Sequence, residues 1–120
     1  MLFAGCGAGD SQPSSPSLIF SLSGSGDEIV GVGQKTSELF HITQREWYIE
    51  SMCEPLDQAG PITLLATIYP ESESVNSMNF LDVIQMSSNG PDRNYFHEKG
   101  NFYIKVIVFN VKNWTLDIYQ

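Results

Sequence analysis

The sequence predicts an all-β fold, an antiparallel β-sandwich of about eight strands. Three observations carry that expectation. From Leu18 to Tyr119 the chain is a series of short runs rich in Ile, Val, Phe, Tyr and Thr. Clusters of Gly, Pro, Asn and Asp separate the runs. No segment repeats apolar residues at the three-four spacing of a helix over about eleven residues. Leu81 to Asn89 comes nearest, and its β-branched residues and following turn favour a strand.

The first strand is read as Leu18–Ser23, closed by the turn cluster Ser23-Gly24-Ser25-Gly26-Asp27, with Glu28–Val32 next. In Glu38–Thr43, Phe40 and Ile42 share one face, and Leu39 and His41 the other. In Arg45–Cys53, Trp47 and Ile49 oppose Glu46, Tyr48 and Glu50. Thr63–Tyr69 and Phe80–Met86 follow, then the turn Asn89-Gly90-Pro91-Asp92. Asn101–Asn110 is apolar on both faces, with Phe102, Ile104, Val106 and Val108 opposite Tyr103, Ile107 and Phe109. That pattern predicts the central strand of a sheet, covered on both sides over part of its length. Asn110 to Asn113 is read as a hairpin loop into Trp114–Tyr119, where Trp114, Leu116 and Ile118 form one apolar face. Trp47 and Trp114 are assigned to the core.

Composition narrows the function classes. Fourteen acids against six bases give a net charge of −8. That balance excludes a basic nucleic-acid-binding surface and argues against flat binding to anionic lipid. It suits solubility and cationic partners. The 42% apolar content is ordinary for a folded domain. No apolar run reaches the roughly 18 residues of a membrane-spanning helix.

The N-terminus has a different character. Met1-Leu2-Phe3-Ala4-Gly5 is short and apolar and ends on two small residues before Cys6. Gly7 to Ser17 is rich in Gly, Ser and Pro and almost free of apolar side chains. Phe3-Ala4-Gly5-Cys6 resembles the lipobox of bacterial lipoproteins, in which the cysteine is acylated and becomes the new N-terminus. The resemblance implies a signal-peptide remnant over 1–5, a lipidated Cys6 with a flexible tether over 6–17, and the sandwich over 18–120. A signal peptide starting upstream of Met1 is expected, because no basic n-region precedes Phe3. A lipidated Cys6 would leave Cys53 as a single thiol, and no Cys/His cluster forms a zinc site.

Three further stretches carry a second resemblance: Gly24 to Ile42, Arg45 to Met52, and Gly100 to Ile118. Their order is a Gly-rich entry, a strand holding Phe40, a strand opening on Trp47, and Gly100-Asn101-Phe102-Tyr103 leading on to Trp114. This is similar to the small secreted β-sandwich modules of the bacterial pre-peptidase C-terminal type. The resemblance implies a jelly-roll-like sandwich, a core hairpin formed by the last two strands, and an accessory or binding role. It brings no catalytic residue.

The residues themselves offer little chemistry. His41 is read as a half-buried strand residue and His97 as exposed before a turn, neither near a nucleophile motif, so no catalytic residue is assigned. Glu46 and Glu50 sit four apart on one strand, about 13 Å along it, too far for a two-carboxylate glycosidase. Ser23–Glu28 and Asn89–Asn94 supply too few carboxylates for a calcium loop, and no metal or cofactor is expected. Asn113-Trp114-Thr115 matches a glycosylation acceptor, which in a bacterial lipoprotein reads as a turn before a strand. Tyr48, Tyr95 and Tyr119 are the candidate ligand contacts, flat amphipathic rings of the kind that take up sugars. The expected function is that of an exported, lipid-anchored, non-enzymatic domain binding a protein or carbohydrate. The alternatives are a soluble secreted accessory domain and, least favoured, a carbohydrate-active hydrolase.

Overall fold

A computed structural model describes residues 16–120, and these fold as nine strands in two antiparallel sheets. The strands are β1 (Leu18–Ser25), β2 (Gly33–Thr36), β3 (Phe40–Ile42), β4 (Trp47–Pro55), β5 (Thr63–Pro70), β6 (Asp82–Met86), β7 (Asp92–Phe96), β8 (Gly100–Phe109) and β9 (Val111–Tyr119). One sheet runs β1-β9-β4-β7; the other runs β2-β8-β5-β6, with β3 also paired to β8. With β2 and β3 taken as one interrupted strand, first pairs with last, second with second-last, and so inward. That is the order of a jelly roll.

Alternation of side chains explains the layers. Trp47, Ile49, Leu116 and Ile118 point inward from one sheet, and Leu64, Ala66, Ile68, Ile104 and Val106 from the other, all fully buried. Trp47 ties the sheets together. Its ring lies 4.6 Å from Phe96 of its own sheet and 5.5 Å from Phe102 of the facing one. Its Nε1 donates to the Glu98 carbonyl at 2.7 Å. Trp114 is buried too, beside Gly24, where an added Cβ would meet its ring at 2.6 Å. Gly24 therefore belongs to β1, which runs on to Ser25 through the stretch the sequence assigns to a turn.

Four sequence expectations need correction. Glu28–Val32 is no strand but a tight turn and the residues after it. The Asp27 Oδ1 accepts from the Ile29, Val30 and Gly31 amides at 3.0, 2.8 and 3.2 Å, and this cap outweighs the β propensity of Ile29 and Val30. The β8–β9 connection is no hairpin, because the two strands lie in opposite sheets. The chain crosses at Asn110, whose positive φ of 58° turns the backbone. The Asn110 side chain fixes the corner: Nδ2 donates to the Asp57 and Pro61 carbonyls, and Oδ1 accepts from the Asp57 amide. β7 is an additional strand. Its only buried residue is Phe96, so no alternation announced it. His41, lastly, is exposed and bonded to Asn101.

β8 is central, as its pattern implies. Tyr103 and Tyr69 stack with centroids 5.2 Å apart under the β5–β6 loop, where the Tyr103 hydroxyl donates to the Glu73 carbonyl. Further along the same face Ile107 and Phe109 are uncovered, at 42% and 50% exposure.

Candidate functional site

The three candidate tyrosines come from three adjacent strands and meet on the outer face of the β1-β9-β4-β7 sheet. Strand register accounts for this. Tyr48 on β4 is paired with Tyr95 on one side and Tyr119 on the other. Alternation that turns Trp47 and Ile49 inward turns Tyr48 outward. The Tyr48 and Tyr119 rings stack at 5.0 Å with an interplanar angle of 15°. Tyr95 lies 5.3 Å from Tyr48, tilted by 45°.

Charged groups frame this ladder. The Arg93 guanidinium sits 4.8 Å from the centre of the Tyr48 ring, a cation–π contact. Arg93 Nε also donates to Glu50 Oε2 at 3.0 Å. Side-chain hydrogen bonding to Tyr95, then to Glu50, pushes the Arg93 pKa up and keeps the cation in place. Beyond Tyr119, the Ser21 hydroxyl donates to the Asp117 carboxylate. The ladder thus offers phenol hydroxyls, one cation and two carboxylates on one face. Such a set can bond polyol hydroxyls while the rings contact apolar C–H surface.

The tyrosines are not equally open. Tyr95 is 44% exposed and Tyr119 half-buried, but Tyr48 is only 5% exposed. Tyr95, Tyr119 and Arg93 cover it, and this burial raises its pKa against the opposing effect of Arg93. Tyr48 therefore supports the ladder, and Tyr95 and Tyr119 form its solvent-facing part. Arg93 completes the site and was missed by sequence reasoning. Its signal was its placement two residues before Tyr95, the same-face spacing of a strand.

The other sequence candidates disperse. Glu50 binds Arg93, whereas Glu46 Oε2 meets the His97 Nδ1. The Asp27 carboxylate is occupied by its own turn, and these backbone amides, led by Val30 and then Ile29, hold its pKa below the usual carboxylate value. Among the described residues no group of three or more His, Cys, Asp or Glu is placed to hold a metal ion. Cys53 is buried, its sulfur 3.4 Å from the Ser88 carbonyl, and burial pushes its thiol pKa up. Cys6 lies outside the described residues. A cleft of about 220 Å³ opens at the far end of the sandwich, between the Ile29–Val30 turn, Leu56, Pro61 and Phe109.

No protein-family model matches the chain, and no curated protein matches it in sequence.

Proposed function

We propose that this chain is an exported, non-enzymatic binding module, held at the bacterial surface through an acylated Cys6, whose outer tyrosine face meets a carbohydrate. The observation that carries the reading is the ladder Tyr95–Tyr48–Tyr119 with Arg93 across it. Stacking and the cation–π contact hold these side chains before a ligand arrives, so little rotamer entropy remains to be lost on binding. The lipobox-like Phe3-Ala4-Gly5-Cys6 and the tether after it support the anchor. The chain enters the sandwich at Ser17, whose amide bonds the Gln120 carbonyl at 2.9 Å, next to Tyr119. A tether from Cys6 then reaches the fold at the end carrying the aromatic ladder.

Two variants test the reading in a bacterial host, with an upstream signal peptide supplied. Cys6→Ser is expected to move the protein from the membrane fraction to the soluble one, since two or more acyl chains are needed for stable anchoring. Unchanged partitioning contradicts the anchor. Tyr95→Ala is expected to abolish retention on immobilised polysaccharide while leaving the melting temperature nearly unchanged. Retention equal to that of the parent contradicts the ligand face.

A further inference from the structure

We infer that the uncovered half of the β2-β8-β5-β6 face is the contact through which two copies of this chain associate. The inference rests on where this acidic molecule keeps its charge. The chain carries fourteen acids, for a net charge of −8. On the outer face of the tyrosine sheet, strand positions hold Glu50, Glu54 and Asp117. On the opposite outer face, register and alternation turn Gln34, Leu65, Val83, Gln85, Ile107 and Phe109 outward. Among the described residues, Lys105 is the charged residue at the strand positions of that face and none of these positions is acidic; Glu71 and Glu73 belong to the loop over its covered half.

The apolar members are contiguous. Leu65 pairs directly with Ile107, and Phe109 is two residues further along β8 on the same side. Phe109 adjoins the Ile29–Val30 turn across the cleft, and the Asp27 cap holds Ile29 out at 87% exposure. The other half of this face is already covered by the β5–β6 loop over Tyr69 and Tyr103. The open half therefore has the character of a surface that is buried when in use.

The charge pattern selects a second copy as occupant. A basic partner would find Glu50, Glu54 and Asp117 on the strands of the tyrosine face, whereas the strands here offer it no carboxylate. Two molecules of the same negative charge repel, and they approach best through strands that carry no acid; Glu28 and Asp57 flank this contact at the Ile29–Val30 end and make it sensitive to salt. A two-fold contact here leaves both tyrosine ladders on the outside of the pair. The size sets the strength. Four strands about 4.8 Å apart and about five residues at about 3.4 Å give roughly 330 Å² of flat sheet per copy. Side-chain relief and the Ile29–Val30 turn raise this to roughly 500 Å² per copy, the lower end for a specific contact. A contact of that size makes a weak dimer that depends on concentration.

Sedimentation equilibrium of the full chain under reducing conditions, which exclude a Cys6 disulfide, tests this over about 10 μM to about 1 mM. A reversible dimer is expected, and it should tighten from about 50 mM to about 500 mM NaCl as salt screens the like charges. Ile107→Glu and Phe109→Glu should stay monomeric and folded by circular dichroism. Met52→Glu, on the opposite face, should dimerise like the parent. If an introduced Glu unfolds the chain, amide shifts of the unaltered protein on dilution provide the second test. They should map to Ile29, Val30, Leu65, Val83 and Ile107 to Phe109. A monomer at every concentration overturns the inference. So does a dimer that survives Phe109→Glu but not Met52→Glu, or a monomer that instead co-sediments with phosphatidylcholine vesicles.

Discussion

Trp47→Ala is the substitution that most severely tests the packing described above. Trp47 has no exposed surface, and its ring contacts Phe96 and Phe102 in stacked geometry and Phe40 edge-on at 6.0 Å. Truncating a buried Trp costs about 3–5 kcal/mol. The upper part of that range applies here, because removal also strips the Glu98 carbonyl of its donor, worth about 1 kcal/mol. A domain of this size has about 5–15 kcal/mol in all. With about 4–8 °C of melting temperature lost per kcal/mol, a cost of about 5 kcal/mol lowers the midpoint by roughly 20–40 °C. Trp47→Phe keeps a ring between the sheets and loses the hydrogen bond, so it should cost about 2 kcal/mol. Urea unfolding followed by circular dichroism measures both. A cost under about 1.5 kcal/mol for Trp47→Ala would refute the inter-sheet role, because no fully buried Trp joining two sheets is that dispensable.

Three smaller tests follow from named atoms. The Ser51 Oγ is fully buried and has no hydrogen-bond partner among the described residues, so Ser51→Ala should be neutral or stabilise by up to about 1 kcal/mol in the same assay. The Asp27 pKa is depressed in the folded state, so its support of the turn is present above about pH 4 and is lost as pH falls through the lowered value. Amide exchange of Ile29 and Val30 should then be protected at neutral pH and lose protection in acid, and Asp27→Ala should abolish it at neutral pH, whereas Gly31, whose amide also donates to the Asp27 main-chain carbonyl at 3.1 Å, should keep part of its protection. Burial around Cys53 raises its thiol pKa, with Asp92 adding to the effect, so the folded protein should resist alkylation at Cys53 at pH 8, whereas urea exposes it.

Much of the fold was legible because alternation is a direct readout of a half-buried strand. Trp47 with Ile49, and Trp114 with Leu116 and Ile118, face inward as their spacing implies. What was misread had local causes. Ile29 and Val30 look like strand residues, and only the position of Asp27 just before them marks a capped turn. Phe109-Asn110-Val111 looks like the start of a hairpin loop. A left-handed Asn110 with its side chain anchored to the Asp57–Pro61 segment instead sends the chain to the other sheet. β7 lies at a sheet edge, and the side chains it turns inward before Phe96 are Asp92 and Asn94, so its alternation in burial leaves no apolar period in the sequence. That omission had a consequence for the site. Without β7, Tyr48 reads as an open platform; with it, Tyr95 and Arg93 cover Tyr48 and the ladder becomes a preassembled surface. The identity of the ligand was not legible, because tyrosines recruited from three strands carry no linear motif.

Amide-shift mapping of isotopically labelled protein titrated with cello- and chito-oligosaccharides tests the proposed carbohydrate-binding role of the tyrosine face. Saturable shifts are expected at Tyr48, Arg93, Tyr95, Tyr119 and their strand neighbours alone, abolished by Tyr95→Ala. Absence of shifts at millimolar sugar, or shifts centred on Phe109 and the Ile29–Val30 turn, would contradict it.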